Sequence, residues 1–123
     1  MTSNSDIVRD NLFAFNAMDY NRIMQDYADN AIVHFVMRDP VVGKDNIREL
    51  FSSFEHDIQH CDINISHIIE SGDLVMVERV DNVLFQGKPT SVPVMCTVEI
   101  QGGKIVHWRE YYDEETFQKQ LQA

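Results

Sequence analysis

The sequence has little of what secreted, membrane-spanning or disulfide-rich proteins contain. Its 123 residues include only two cysteines, Cys61 and Cys96, which favours free thiols over a disulfide framework. No run of apolar residues approaches the length that spans a bilayer. The first residues lack a basic segment followed by an apolar one, so we expect no secretion signal and a cytoplasmic location.

Positive charge is also scarce. Ten Lys and Arg residues stand against twenty Asp and Glu residues, which gives a formal net charge of −10. Nucleic acids and anionic membranes are bound through basic patches, and no cluster of Lys or Arg interrupts the acidic background. We therefore expect neither nucleic acid nor a membrane as a partner.

The composition that remains is that of one folded domain. Hydrophobic residues make up 44% of the chain and charged residues 24%, as in an ordinary globular protein. A chain of this length suits a single core, and no repeat, low-complexity tract or linker divides it. The sequence therefore predicts one domain over residues 1–123.

Helical patterning dominates the first half of the chain. A stripe of apolar side chains predicts a first helix over residues 5–19. A short second helix follows with Tyr27 on its buried side, and the polar residues 29–30 end it. Residues 31–37 predict a strand, and Gly43 introduces a third helix.

From about residue 59 the apolar pattern changes to a period of two, which is typical of strands. Tight turns at residues 71–73, 86–88 and 102–103 separate the successive strands, and a last helix begins at Asp113. The sequence thus predicts an α+β fold in which N-terminal helices pack on a curved antiparallel sheet, with a short C-terminal helix. A cavity for a small ligand is expected between the two layers.

Charged residues in the central strand mark a candidate site. Because strand side chains alternate, Arg79 and Asp81 point to the same face, together with Val77 and Val83. An Arg and an Asp on a buried face are costly unless they neutralise each other. The pair is therefore either a structural ion pair or part of a functional site.

The last strand offers a third charged group. Alternation places Trp108, Glu110 and Tyr112 on one face of this strand. If that face lines the cavity, Glu110 reaches Arg79 from the side opposite Asp81 and completes a carboxylate–guanidinium–carboxylate cluster. The alternative is a surface Glu beside a packed Trp.

No metal site is expected. His56 and His60 have the spacing of a zinc-binding pair on a helix, but the chain changes to strand there and no third ligand is apparent. No His and Asp arrangement activates Cys96, which we expect to face the cavity as a small, unreactive side chain.

Three features resemble the NTF2-like superfamily, whose fold is a cystatin-like cone. They are the order of these elements, residues 27–31 before the first strand, and Gly43 at the head of the third helix. Within this superfamily, the Glu-Arg-Val-Asp motif at residues 78–81 and the segment 103–113 resemble the limonene-1,2-epoxide hydrolase branch. SnoaL-like proteins share parts of the second motif. The resemblance covers nearly the whole chain.

The epoxide-hydrolase branch implies a cofactor-independent enzyme that opens a small, apolar epoxide to a vicinal diol in one step. By this resemblance Asp81 is the general acid that protonates the epoxide oxygen. Glu110 stands where the branch has the Asp that deprotonates water, and Arg79 stands between the two. Val33 and Phe35 fall where the branch has a Tyr and an Asn that hold the water.

Four side chains are expected to form the wall that contacts the substrate, namely Val33, Phe35, Cys96 and Trp108. The resemblance also implies a homodimer through the exposed sheet face, which Met76 and Val80 would fit. Ketosteroid isomerase shares the fold, but its general base falls at Phe35, so its mechanism does not carry over.

Two other functions fit the same fold. One is SnoaL-like chemistry, the cyclisation, isomerisation or dehydration of a polyketide- or terpene-like substrate. The other is a non-enzymatic module that binds a small ligand or dimerises, in which Arg79 is merely paired in a closed core. The fold alone does not decide between these functions.

Overall fold

The computed structural model describes residues 2–123. In it, short helices come first along the chain and long strands follow. Met1, the first residue of the predicted domain, lies outside the described residues. The elements within the described residues are α1 (Asn4–Asn16), α2 (Tyr20–Gln25), β1 (Tyr27–Phe35), β2 (Val41–Val42), α3 (Lys44–Asp57), β3 (Ile58–Ser71), β4 (Leu74–Phe85), β5 (Lys88–Gln101), β6 (Lys104–Tyr111) and α4 (Glu114–Leu121).

The strands form one curved sheet in the order β2-β1-β6-β5-β4-β3. Strands β3 to β6 pair in sequence as antiparallel hairpins, as the sequence predicts. The short strand β2 and the parallel pairing of β1 with β6 were not predicted. This parallel pairing extends the sheet beyond β6 and brings β1 next to the strand that carries Glu110.

Local sequence explains where two of the helices begin. The Ser3 side chain accepts a hydrogen bond from the backbone N–H of Asp6, and the Asp6 carboxylate accepts one from the Ser3 backbone, which is a capping box. Gly43 precedes α3 with φ +92°, a conformation that a residue with a Cβ rarely adopts. The predicted position of Gly43 at the head of the third helix is confirmed.

The start of β1 corrects the sequence-based boundaries. Residues 29–30 do not end a helix, because α2 stops at Gln25 and Tyr27 is already in β1. The backbone N–H of Ile105 donates to the Asp26 carbonyl at 2.8 Å, and this contact starts the parallel pairing with β6. An irregularity in register between Tyr27 and Ile32 accommodates the polar residues 29–30.

The helices cover the concave face of the sheet, where α1 packs on β3 and α3 packs on β1. The core between them is apolar, with Val8, Leu12 and Ile47 from the helices buried against strand residues such as Val75 and Val98. Met76 is partly exposed and Val80 half-buried on the convex face. The homodimer through this face stays a prediction.

Within residues 2–123, no helix combines the length and the apolar character needed to cross a membrane. Both cysteines are buried and free, as the sequence predicts.

Candidate active site

Strands β4 and β6 place three charged side chains at one point of the concave face. Arg79 and Asp81 are separated by one residue on β4, so strand alternation turns both inward. Glu110 comes from β6, and β5 lies between the two strands, pairing Arg79 with Val94 and Glu110 with Cys96. Arg79 and Glu110 are buried, with 4% and 7% of their surface exposed. The predicted carboxylate–guanidinium–carboxylate cluster is present.

Arg79 holds Glu110 through two parallel hydrogen bonds. Its Nη1 donates to Glu110 Oε1 at 2.9 Å, and its Nη2 donates to Glu110 Oε2 at 2.6 Å. Such a bidentate pair fixes both the distance and the orientation of the carboxylate. The Trp108 indole N–H donates to Glu110 Oε1 as well, at 2.5 Å. Glu110 is therefore held rigidly from two sides.

A second edge of the same guanidinium, which shares Nη2 with the first, binds Asp81. Arg79 Nε donates to Asp81 Oδ1 at 2.9 Å, and Nη2 donates to Asp81 Oδ2 at 3.1 Å. Asp81 has no other protein donor among the hydrogen bonds of residues 2–123, and 22% of its side chain remains exposed. Asp81 is thus the more accessible of the two carboxylates.

Burial and mutual charge shift the pKa values of Arg79 and Asp81. Burial raises the pKa of Asp81 above its ordinary value of 3.8; Arg79 opposes this shift, and the Glu110 charge adds to it. Burial works against the Arg79 cation, but Glu110 and Asp81 outweigh it and hold the pKa of Arg79 well above its usual value. One cation faces two buried carboxylates, and the raised pKa means that Asp81 keeps its proton to higher pH than an ordinary Asp does.

The cluster opens into an apolar cavity of about 270 Å³. Its lining includes Val33, Phe35 and Trp108, three of the residues predicted to contact the substrate. Much of the remaining wall is aromatic, with Phe15, Phe51, Phe54, Phe85 and Phe117. Edge-to-face contacts join several of these rings. The ring centroids of Phe35 and Phe54 are 6.1 Å apart, and those of Phe85 and Phe117 are 5.2 Å apart. The site therefore combines one polar cluster with walls that favour an apolar ligand.

Cys96 does not line this cavity, which corrects the prediction that it contacts the substrate. It is fully buried, and the strand register places it between Val77 on β4 and Glu110 on β6. Burial and the charge of Glu110 raise the pKa of its thiol to about 12. Cys96 is therefore an unreactive core residue beside the Arg79–Glu110 pair.

Two groups that the sequence did not single out also reach the cavity. Tyr27 lines it from β1, where its ring packs edge-on against Phe51 at 5.9 Å. Arg38 lines the wall and forms an ion pair with Glu114 at the start of α4. Strand alternation from residue 27 onward could have indicated that Tyr27 faces the cavity, but the sequence pattern assigns Tyr27 to a helix.

His56 and His60 do not share a helix face, because α3 ends at Asp57 and His60 lies in β3. Among residues 2–123, no group of three or more His, Cys, Asp or Glu side chains has the arrangement of a metal site.

Solved structures share this fold over nearly their whole length. An LEH-like epoxide hydrolase from M. tuberculosis is 21% identical, with a TM-score of 0.86 and coverage of 98% of this chain and 92% of that one. A protein from Shewanella putrefaciens, named for its likeness to SnoaL-like polyketide cyclases, is 16% identical, with a TM-score of 0.85 and coverage of 99% and 98%. At these identities the likeness shows a common fold.

A third structure is a protein from Catenulispora acidiphila with a ketosteroid isomerase-like fold, in complex with trimethylamine. It is 19% identical, with a TM-score of 0.84 and coverage of 94% of this chain and 91% of that one. The family model of the SnoaL-like domain matches residues 8–108, which include Arg79, Asp81 and most of the cavity wall. The chain therefore belongs to the SnoaL-like domain family.

Proposed function

We propose that this protein is a cofactor-independent hydrolase that opens a small, apolar epoxide to a vicinal diol. The observation that carries the proposal is the buried Arg79 guanidinium, which binds carboxylates from two strands at the wall of an apolar cavity. The SnoaL-like family and the likeness to an LEH-like epoxide hydrolase support an enzymatic role of this type.

In the proposed reaction, Asp81 is the acid and Glu110 the base. A water molecule gives one proton to Glu110 while its oxygen forms a bond to an epoxide carbon. The carbon–oxygen bond of the strained ring breaks in the same step, and the departing oxygen takes a proton from Asp81. Ring strain removes the need for a covalent intermediate, so a positioned acid and base suffice.

The hydrogen bonds of the cluster support these two roles. Each carboxylate oxygen has two lone-pair sites, and Glu110 Oε1 accepts bonds from both Arg79 and Trp108. Glu110 Oε2 accepts one bond, from Arg79, which leaves a site for a water proton. Asp81, whose pKa is raised chiefly by burial, keeps its proton more readily than an ordinary Asp.

Arg79 lets the two carboxyl groups work as a unit. Before the reaction the cluster holds the Arg79 cation, an ionised Glu110 and a protonated Asp81. Afterwards Glu110 carries the proton and Asp81 is ionised, so the total charge of the cluster is unchanged. This matters because a change in net charge is costly in a buried site of low dielectric constant. Proton exchange with solvent through the more exposed Asp81 resets the site.

The cavity limits the substrates that this chemistry can use. Its volume of about 270 Å³ lies just below the range of about 300–1,000 Å³ that is typical of small-molecule sites. The lining offers few polar partners besides the cluster, so we expect small cyclic or aryl epoxides rather than charged or highly oxygenated ones.

The proposal is tested by incubating the purified protein with a panel of cyclic and aryl epoxides and measuring diol by chromatography. We expect diol from at least one member, and a loss of about 10²- to 10⁴-fold in kcat for Asp81→Asn. Glu78→Gln, one strand position away from Arg79 on the convex face, is the matched control and should keep full activity. Full activity of Asp81→Asn would exclude Asp81 as the acid.

A second candidate is SnoaL-like isomerisation, cyclisation or dehydration of a polyketide- or terpene-like substrate. The apolar side chains of Val33 and Phe35 favour it, because they leave this part of β1 without a side chain that can hold a water. In that case Asp81 and Glu110 would move protons on the substrate itself. Absence of diol from the whole panel, with proton exchange into a bound enone or polyene, would favour this function. Ligand binding without any turnover would favour a binding module.

A further inference from the structure

The cavity wall carries a second cation besides the one in the cluster. Among residues 2–123, the charged side chains that line the cavity are the three of the cluster and Arg38. The Arg38 side chain is 61% exposed, whereas Arg79 is buried, so Arg38 lies at the solvent end of the cavity, which we call the mouth. A guanidinium without a partner in this place would bind a carboxylate or phosphate of an entering ligand.

The topology of the sheet supplies a partner for Arg38. Strands β1 and β6 run parallel with Phe35 opposite Glu110, so the carboxyl ends of the two strands lie side by side. Arg38 follows β1 in a turn, where its backbone N–H donates to the Phe35 carbonyl at 2.9 Å. Glu114 follows β6 closely as the first residue of α4. The two chain segments that leave this edge therefore bring Arg38 and Glu114 together as an ion pair.

The Glu114 carboxylate is committed to Arg38. Both of its oxygens are closed off from solvent, and among residues 2–123 Arg38 is the cation that pairs with it. A carboxylate that has lost its water must be compensated by a cation, so the pair is held together by the cost of separating it. Glu114 does not itself line the cavity. A ligand at the mouth therefore meets a guanidinium whose charge is already compensated from behind.

The charges of the whole cavity are then balanced. In the resting state of the proposed reaction, the Arg79 cation is matched by an ionised Glu110, and Asp81 is protonated. Arg38 is matched by Glu114. An uncharged ligand enters such a cavity without electrostatic cost, whereas a carboxylate would leave water without gaining a cation. The balance depends on Glu114, because without it the mouth would carry an uncompensated positive charge.

We propose that Glu114 is a specificity-determining residue, which acts through Arg38 and restricts the cavity to uncharged substrates. The inference deepens the proposed function, on which its statement about substrates rests, by excluding epoxides that carry a carboxylate. Removal of the Glu114 charge leaves the Arg38 guanidinium free, and the mouth then accepts a carboxylate through two parallel hydrogen bonds.

The first test measures binding and needs no turnover. Isothermal titration calorimetry compares para-vinylbenzoate with para-vinylbenzamide, which have similar shapes but differ in charge. For Glu114→Gln we expect the affinity for the benzoate, relative to that for the benzamide, to rise about tenfold over the unmodified protein. Glu115→Gln is the matched control. It removes the same charge from the same turn of α4, but Glu115 is 73% exposed and pairs with Lys119, so the ratio should stay unchanged.

A double variant tests whether the effect passes through Arg38. Arg38→Gln combined with Glu114→Gln should lose the gain in benzoate affinity, and a gain that persists would contradict the role of Arg38. Because α4 contributes no fully buried residue, we expect these variants to keep the Tm of the unmodified protein. Glu114→Ala, which removes the same charge, should show the same shift as Glu114→Gln. An unchanged ratio in Glu114→Gln, no binding of the benzoate to it, or an equal shift in Glu115→Gln would overturn the inference.

The second test uses turnover and separates the two proposals. For Glu114→Gln, the ratio of kcat/KM for para-carboxystyrene oxide to that for styrene oxide should rise about tenfold, through a lower KM for the carboxylate. Diol from styrene oxide, with this ratio unchanged by Glu114→Gln, would refute the role of Glu114 and leave hydrolysis standing. No diol from any epoxide would refute hydrolysis, and the calorimetric ratio would still decide the role of Glu114.

Discussion

Two polar contacts of β4 lie one strand position apart and on opposite faces of the sheet. On the concave face, Arg79 binds Asp81 and Glu110 in a cluster that is almost closed to solvent. On the convex face, Glu78 accepts from His67 Nδ1 at 2.9 Å, with the His67 and Glu78 side chains 76% and 59% exposed. The donor–acceptor distances are similar, but the donor on the convex face is an imidazole rather than a guanidinium, and the surroundings differ.

The difference shows that burial, rather than the pairing of charges, suits the concave cluster to acid–base chemistry. Exposed ion pairs are screened by water and salt and are worth about 0–1 kcal/mol. A buried cluster is far more sensitive, because removal of one partner leaves an uncompensated charge. Burial also raises the pKa of Asp81, which allows a carboxyl group to act as an acid.

The largest effect is expected for Arg79→Met. This substitution keeps most of the side-chain volume but leaves Asp81 and Glu110 without their cation, so we expect a loss of about 3–5 kcal/mol in the free energy of unfolding. Diol formation should be abolished. Urea denaturation measures the first effect, and His67→Ala is the control on the convex face. Equal stability of the two variants would contradict the assigned importance of burial.

A smaller effect on stability, but a large one on activity, is expected for Glu110→Gln. The Gln side chain keeps the shape of Glu110 but loses the negative charge that binds Arg79 and accepts a water proton. We expect kcat to fall about 10²- to 10⁴-fold. Steady-state kinetics of Glu110→Gln are compared with those of Glu78→Gln, which changes the same residue type on the convex face. Equal activities would refute Glu110 as the base.

The pH dependence of the free energy of unfolding should further distinguish the buried cluster from the exposed pair. The raised pKa of Asp81 means that the folded state binds its proton more tightly than the unfolded chain does. The stabilisation from this proton is complete below the ordinary Asp pKa of 3.8 and is lost as the pH rises through the folded-state pKa. The free energy of unfolding of the unmodified protein, minus that of Asp81→Asn, should therefore decrease over this range.

The activity should depend on the same protonation of Asp81. If Asp81 donates it, kcat decreases as the pH rises through the pKa of Asp81 in the substrate complex. A kcat that increases over this range, or a stability difference that grows with pH, would contradict the acid role of Asp81.

The smallest effect is expected for Glu78→Gln. Its exposed pair with His67 should contribute less than about 1 kcal/mol to the free energy of unfolding. Added salt should remove most of this difference. A cost comparable with that of Arg79→Met would show that the convex face is covered, as in the predicted homodimer.

The sequence predicts the concave cluster because strand alternation is a local rule. Arg79 and Asp81 lie two positions apart, as do Trp108 and Glu110, so one period of two assigns each pair to a face. The hairpin order then brings the two strands to either side of β5, and the charges meet. Glycine and turn residues define these hairpins in the sequence itself.

The contribution of β1 depends on contacts that are distant in sequence and was largely missed. Tyr27 follows α2 closely and continues its apolar pattern, but pairing with Ile105 of β6 draws it into the sheet. Cys96 is buried between Val77 and Glu110 and does not line the cavity. Arg38 lines the wall and is paired with Glu114 of α4, 76 residues further along the chain. Each of these contacts joins residues that are distant in sequence, so local pattern alone does not specify the partner.

The proposed water attack is tested most directly by a single-turnover reaction with a responsive epoxide in oxygen-18 water. With enzyme in excess, we predict that the diol formed in the first turnover carries one oxygen-18 atom, because water itself forms the new bond to carbon. An unlabelled diol in that turnover, with the label appearing only later, would instead mean that a carboxylate of the protein attacks the epoxide, and would contradict the account.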